Sequence, residues 1–161
     1  MQLYHGSIEI IKHPRILEQQ RLLDFGKGFY TTSNKEQAER WASIKQKRAA
    51  ESNKAIVTVY EFDDDLLQTD RLKIKSFTQA NVEWLDFVVR NRSLEVVIKY
   101  DLVIGPVAND TLYITLSLYE AGFLTKKETI VRLKVHPRFD QLAFITAKAI
   151  EQLKYIRSYD L

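Results

Sequence analysis

The spacing of apolar positions along this chain changes repeatedly, and each change marks an element. Residues 55–62, AIVTVYEF, are rich in β-branched and aromatic side chains and predict a strand ended by Asp63, Asp64 and Asp65. Residues 2–5 predict a short strand stopped by Gly6, and residues 26–32 a glycine-rich loop that enters a second strand. A helical turn is expected over 16–22. Ser33 and Glu36 have the spacing of a capping box, with a helix behind them to about Ala50. Ala80, Trp84, Phe87 and Val88 recur at helical spacing and predict a core-facing helix. Residues 100–104 predict an interior strand stopped by Gly105 and Pro106. Leu112, Thr115, Leu116 and Tyr119 then recur at helical spacing behind Asp110, an expected N-cap. Thr125 and Glu128 form a second capping box. Residues 141–145 predict a strand, 147–153 a helix and 155–159 a last strand.

Strands and helices mix without strict βαβ alternation and without the Gly-x-Gly-x-x-Gly turn of a dinucleotide Rossmann fold, so an α+β fold in a single domain is expected. At 161 residues the chain is long enough to bury a core of its own, and with 45% hydrophobic residues it is neither a disordered tail nor a membrane-spanning segment. It contains no cysteine and no secretory leader is legible, which together suit a reducing cytoplasm. The net charge of +3 is concentrated in Lys45, Lys47 and Arg48 and in Lys126, Lys127, Arg132 and Lys134. These read as solvated helix faces and loops, and they permit a nucleic-acid partner without indicating one. His5, His13 and His136 lack acidic or cysteine neighbours at metal-ligand spacing, so no metal is expected.

Two segments carry candidate chemistry. Leu3-Tyr4-His5-Gly6-Ser7 puts a histidine at a strand end, next to a glycine where backbone can approach a ligand; alone such a segment is more often a turn, and its histidine a structural hydrogen-bond partner. Phe25-Gly26-Lys27-Gly28-Phe29-Tyr30 puts two glycines ahead of an aromatic strand start, which alone could be a bulge. Together, His5-Gly6-Ser7 and the Phe25 to Tyr30 run resemble the ADP-ribosyltransferase superfamily, and in particular its poly(ADP-ribose) polymerase branch. Trp41 falls where that branch carries a second aromatic on the following helix.

The resemblance implies a split β-sheet core with flanking helices and an NAD-binding cleft. His5 would hydrogen-bond the adenosine-side ribose, Gly6 would offer its backbone to the nicotinamide carboxamide, and Ser7 would lie near the nicotinamide ribose. Tyr30 and Trp41 would enclose the nicotinamide ring, whose positive charge an aromatic face attracts. Trp41 also has a reading as a core aromatic beside Ala38 and Ala42. Arg92 could pair with the pyrophosphate through its planar fork, or simply end a helix.

The layout is also similar to a small bacterial family of unknown function placed in that superfamily, through Leu3 to Ser7, Asp24 to Tyr30, Ala38 to Ala42, Asn91-Arg92, Tyr100 to Asp110 and Asp140 to Phe144. Its members resemble toxins of toxin–antitoxin pairs or mobile-element modules, which implies an antitoxin protein as a partner.

Two departures from the polymerase branch stand out. Ala38 replaces a serine that helps bind the carboxamide. Gln141 stands where active transferases carry a glutamate; its amide can hold a ribose hydroxyl but brings no charge to a cationic transition state. Asp140 is adjacent, and alternation points it to the opposite face. Lys134, His136 and Arg138 precede Gln141 in the stretch that helps choose the acceptor in the superfamily, and their charge suggests a phosphate-bearing or acidic one. The sequence therefore supports a mono-ADP-ribosyltransferase using NAD as substrate, with Gln141, His5 and Tyr30 at its chemistry and a protein or nucleic acid as acceptor. The alternatives are an NAD or ADP-ribose binding module with little or no turnover, and a protein-interaction domain.

Overall fold

The computed structural model describes residues 1–18, 23–49, 54–93, 99–108, 112–133 and 135–161. In chain order the elements are β1 (Gln2–Ser7), β2 (Phe29–Thr31), α1 (Lys35–Arg48), β3 (Ile56–Glu61), a 3-10 helix (Asp64–Gln68), β4 (Ile74–Ser76), α2 (Val82–Ser93), β5 (Leu102–Ala108), α3 (Leu112–Glu120), α4 (Lys126–Arg132), β6 (Val135–Phe144), α5 (Ala147–Ile150) and β7 (Lys154–Asp160). The strands form two sheets, β1-β3-β7 and β2-β6-β5-β4, and the fold is α+β.

Alternation along the strands sorts the side chains into layers. On β3, Val57 faces outward against Ala38 and Ala42 of α1, while Tyr60 faces inward. On β6, Leu142 and Phe144 face the first sheet, and Ala143 faces α2, α3 and α4. One apolar cluster, including Leu3, Phe29, Tyr60, Leu102, Leu142 and Phe144, fills the space between the sheets. A second, built on Phe25, Trp84, Leu85, Val88, Val103 and Leu116, packs the helices against the outer face of the second sheet. Trp84 is fully buried there, as its helical spacing predicts.

Among the described residues the strands of the two sheets are bridged backbone to backbone at one place. Tyr4 and Thr32 exchange backbone hydrogen bonds of 2.9 and 3.0 Å, and no further β1–β2 pairing follows among the described residues. Continuing that antiparallel register would set Gly6 opposite Tyr30, but the two strand edges part there instead.

Several elements differ from expectation for identifiable reasons. α1 is capped by Asn34, whose side chain accepts from the Gln37 amide, because Ser33 is drawn away to Asp140. β5 runs through Gly105 and Pro106 to Ala108. Its neighbour β4 pairs only with residues 102–104, so the proline sits where that edge needs no amide donor. β6 begins at Val135 rather than 141, and α5 ends at Ile150. The acidic turn after β3 is a 3-10 helix capped by Asp63, and β4 was not expected. No helix forms over 16–18; residues 19–22, Asp110 and Lys134 lie outside the described residues.

Candidate active site

The parting edges of β1 and β2 open a cavity of about 860 Å3, within the range of small-molecule sites. Its walls are His5 and Ser7 of β1, the segment 9–17, Leu23, Gly28, Phe29 and Tyr30 at the glycine-rich turn, and Lys45 of α1. The segment is tethered at Ile11: its amide donates to Thr58 Oγ1 at 3.3 Å, and its carbonyl accepts from the Tyr60 hydroxyl.

His5 stands at the vertex of the gap. Its ring lies on Phe29, with centroids 4.5 Å apart and planes 23° from parallel. Its Nδ1 is 2.6 Å from the Tyr30 carbonyl oxygen. A carbonyl only accepts, so Nδ1 carries the proton and Nε2 is left as an acceptor. Burial, reinforced by the nearby Lys45 ammonium and only partly opposed by the bond to Tyr30, lowers the His5 pKa to about 3. The imidazole is therefore neutral at pH 7.

Tyr30 is buried, and its hydroxyl donates to the Gly26 carbonyl at 2.8 Å and accepts from the Phe25 amide at 3.0 Å. The turn it closes needs Gly26, which has φ +84° and bonds back to the Leu23 carbonyl. Tyr30 thus lines the cavity while its side chain packs with Ala143 in the helical cluster and its polar end is committed to the turn.

Gly6 answers a packing demand. A Cβ at this position would lie 2.1 Å from the Ala38 carbonyl oxygen and 2.7 Å from the Ala42 amide nitrogen, so only glycine lets α1 rest on β1. Its carbonyl accepts from the Lys45 ammonium at 2.6 Å. Lys45 is exposed as a residue, but its ammonium is tucked against the strand end, and desolvation lowers its pKa.

The remaining expected site residues lie elsewhere. Gln141 is 4% exposed and does not line the cavity. It projects with Ala143 toward the helices, and its amide donates to Asp24 at 3.1 Å. Arg92, expected on a pyrophosphate, instead faces the same Asp24 at 3.4 Å from the end of α2, with both side chains well buried. Burial raises the Asp24 pKa, opposed by the Arg92 charge and the Gln141 hydrogen bond. Residues from the glycine-rich turn, α2 and β6 thus form one buried polar cluster beneath Tyr30.

Asp140 projects to the opposite face from Gln141, as alternation predicts. It accepts from Thr32 Oγ1 at 2.7 Å, the Ser33 amide at 2.9 Å and Ser33 Oγ at 2.7 Å. Trp41 is half-buried and does not line the cavity, although Lys45, one helical turn on, does. The orientations of the His136 and Arg138 side chains lie outside what is described.

The model of the family described as Protein of unknown function (DUF3990) matches residues 1–155. The chain belongs to this family. No curated protein and no solved structure matches the chain. The DUF3990 match spans the cavity, the Asp24 cluster and the Asp140 junction alike, so all three lie within the family's extent.

Sequence reasoning passed over Lys45, read as part of a solvated face, and the basic residues of the segment 9–17. Lys45 follows Ala38 by seven residues and Trp41 by four, the spacing of one helix face, and that signal could have placed it beside β1.

Proposed function

We propose that this domain binds NAD in the cavity between β1 and β2 and transfers its ADP-ribosyl group to an acceptor, as the motifs it shares with ADP-ribosyltransferases imply. The observation that carries the reading is the contact of His5 Nδ1 with the Tyr30 carbonyl at 2.6 Å, which joins the two motifs at the wall of one cavity. The parted pair of sheets supports the same reading, since the superfamily's core is a split sheet. His5 Nε2, an acceptor, suits a ribose hydroxyl; Ser7 lies along the same wall. In the transfer, the bond between ribose C1′ and the nicotinamide nitrogen breaks and nicotinamide leaves as a neutral molecule with the bonding pair. The acceptor nucleophile then bonds to C1′ and releases its proton. The absence of cysteine suits a cytoplasmic setting, and a toxin held by an antitoxin is the biological role the resemblance implies.

One observation favours a second reading. Gln141 is turned toward Asp24 and away from the cavity, which leaves the position of the expected glutamate without a charge facing the ligand. An NAD or ADP-ribose binding module with little turnover fits that arrangement. Incubating purified protein with adenylate-labelled NAD and a bacterial lysate separates the two. Label in protein or nucleic acid establishes transfer, and labelled ADP-ribose with free nicotinamide establishes hydrolysis. Saturable binding without turnover favours the module, and no binding at millimolar NAD overturns both.

A further inference from the structure

We propose that Lys12, Arg15 and Lys45 form a diphosphate subsite in this cavity, where Lys45 exchanges its bond to the Gly6 carbonyl for one to a phosphate oxygen. The identity of the occupant rests on the dinucleotide reading above; the location of the subsite rests on charge.

All three cations line the cavity, and Glu9 is the one carboxylate beside them among the described residues. None of the three makes an ion pair with a carboxylate among the described residues. Lys12 lies over the Tyr155 ring at 5.8 Å, and Lys45 has a neutral carbonyl as its acceptor. Like charges lining one cavity repel one another, so a cavity with this surplus favours an anion. With Glu9 counted, a single carboxylate would leave half of the surplus unbalanced, whereas a diphosphate offers two negative centres and several acceptor oxygens.

The geometry suits an exchange. Moving the Lys45 ammonium from a neutral carbonyl to a charged oxygen gains the stronger, charge-assisted bond. Lys12 follows Ile11, whose backbone is held on both sides by β3, so its starting point is fixed. Release of Lys45 would also free the Gly6 carbonyl at the gap for an uncharged amide, which makes anion binding and amide binding cooperate.

The test is calorimetric titration of the purified protein with inorganic pyrophosphate, with nicotinamide and with NAD, at two salt concentrations. Pyrophosphate should bind, compete with NAD and weaken as salt rises. Lys45→Met should weaken pyrophosphate at least about tenfold, as expected for losing a charge-assisted bond, while Lys45→Arg retains most of the affinity. The double variant Lys12→Gln with Arg15→Gln, remote from α1 packing, should show a comparable loss with an unchanged melting temperature. Failure of the native protein to bind pyrophosphate overturns the subsite, as does native-like pyrophosphate affinity in both Lys45→Met and the double variant. If pyrophosphate behaves as expected while neither NAD nor nicotinamide binds, the subsite stands and the NAD reading falls.

Discussion

His5 carries a pH signature that can be isolated. Its pKa in the folded chain is lowered to about 3, whereas in the unfolded chain it takes the ordinary value of 6.5. Between those values the unfolded state binds the extra proton, so stability is full above pH 6.5 and falls as pH drops toward 3. At pH 4.5, two units below the unfolded value, the loss should be roughly 2 to 3 kcal/mol. Asp24 works in the other direction, because its raised pKa favours the folded state in acid. The comparison must therefore be made between the native chain and His5→Gln, whose amide can still donate to Tyr30. Urea denaturation at pH 7 and 4.5 should show a smaller pH dependence in the variant; equal slopes would mean that His5 is protonated in the fold. Gly6 is the other residue with a sharp expectation. Gly6→Ala pushes a methyl into the backbone of α1 and should cost roughly 3 kcal/mol, since neither partner is a flexible side-chain end. A urea midpoint close to that of the native chain would show that α1 can lift away.

At the scale of elements, the Asp24 cluster ties the glycine-rich turn to α2 and β6. Arg92→Leu leaves a buried carboxylate without its cation and should cost roughly 3 kcal/mol or more, and adding Asp24→Asn should recover a substantial part. A double-mutant cycle in urea reads this directly, and additive losses would show that the pair is not coupled. Such long-range bonds also mark where sequence reading stopped. The Thr125–Glu128 capping box, the strand over 55–62 and the stripe through Trp84 are local patterns, and all three were legible. Ser33 misled because its hydroxyl bonds to Asp140, 107 residues away, which no local pattern encodes. Pro106 misled because its tolerance depends on how far β4 extends alongside β5. His5, Ser7 and Tyr30 line one cavity because the Tyr4–Thr32 bridge and the His5–Tyr30 contact bring their strands together. Arg92 and Gln141 were singled out through the family resemblance, but that both would meet Asp24 depended on how α2 packs against β6 and the glycine-rich turn.

For the whole molecule, the cluster shared by both sheets predicts one cooperative unfolding transition. Tryptophan fluorescence, from Trp84 in the helical layer and Trp41 on α1, reports tertiary packing, and far-ultraviolet circular dichroism reports the helices and both sheets together. Their denaturation curves should coincide, and a separate early phase in one signal would show that the sheets unfold independently. With NAD present at a hundred times its dissociation constant, the common transition should gain about 2.7 kcal/mol. No helix among the described residues is long and apolar enough to cross a membrane.

The bond pair between Tyr4 and Thr32 acts as the pivot of a pair of compasses whose legs are β1 and β2. Distance along each leg multiplies any change of angle, so a displacement too small to break a hydrogen bond at the pivot becomes a larger change of aperture by Ser7 and Gly28. Thr32 donates its hydroxyl to Asp140 at 2.7 Å, and Asp140 also accepts from the amide and hydroxyl of Ser33. The position of that pivot is therefore fixed from β6, by a carboxylate that forms no part of the cavity wall.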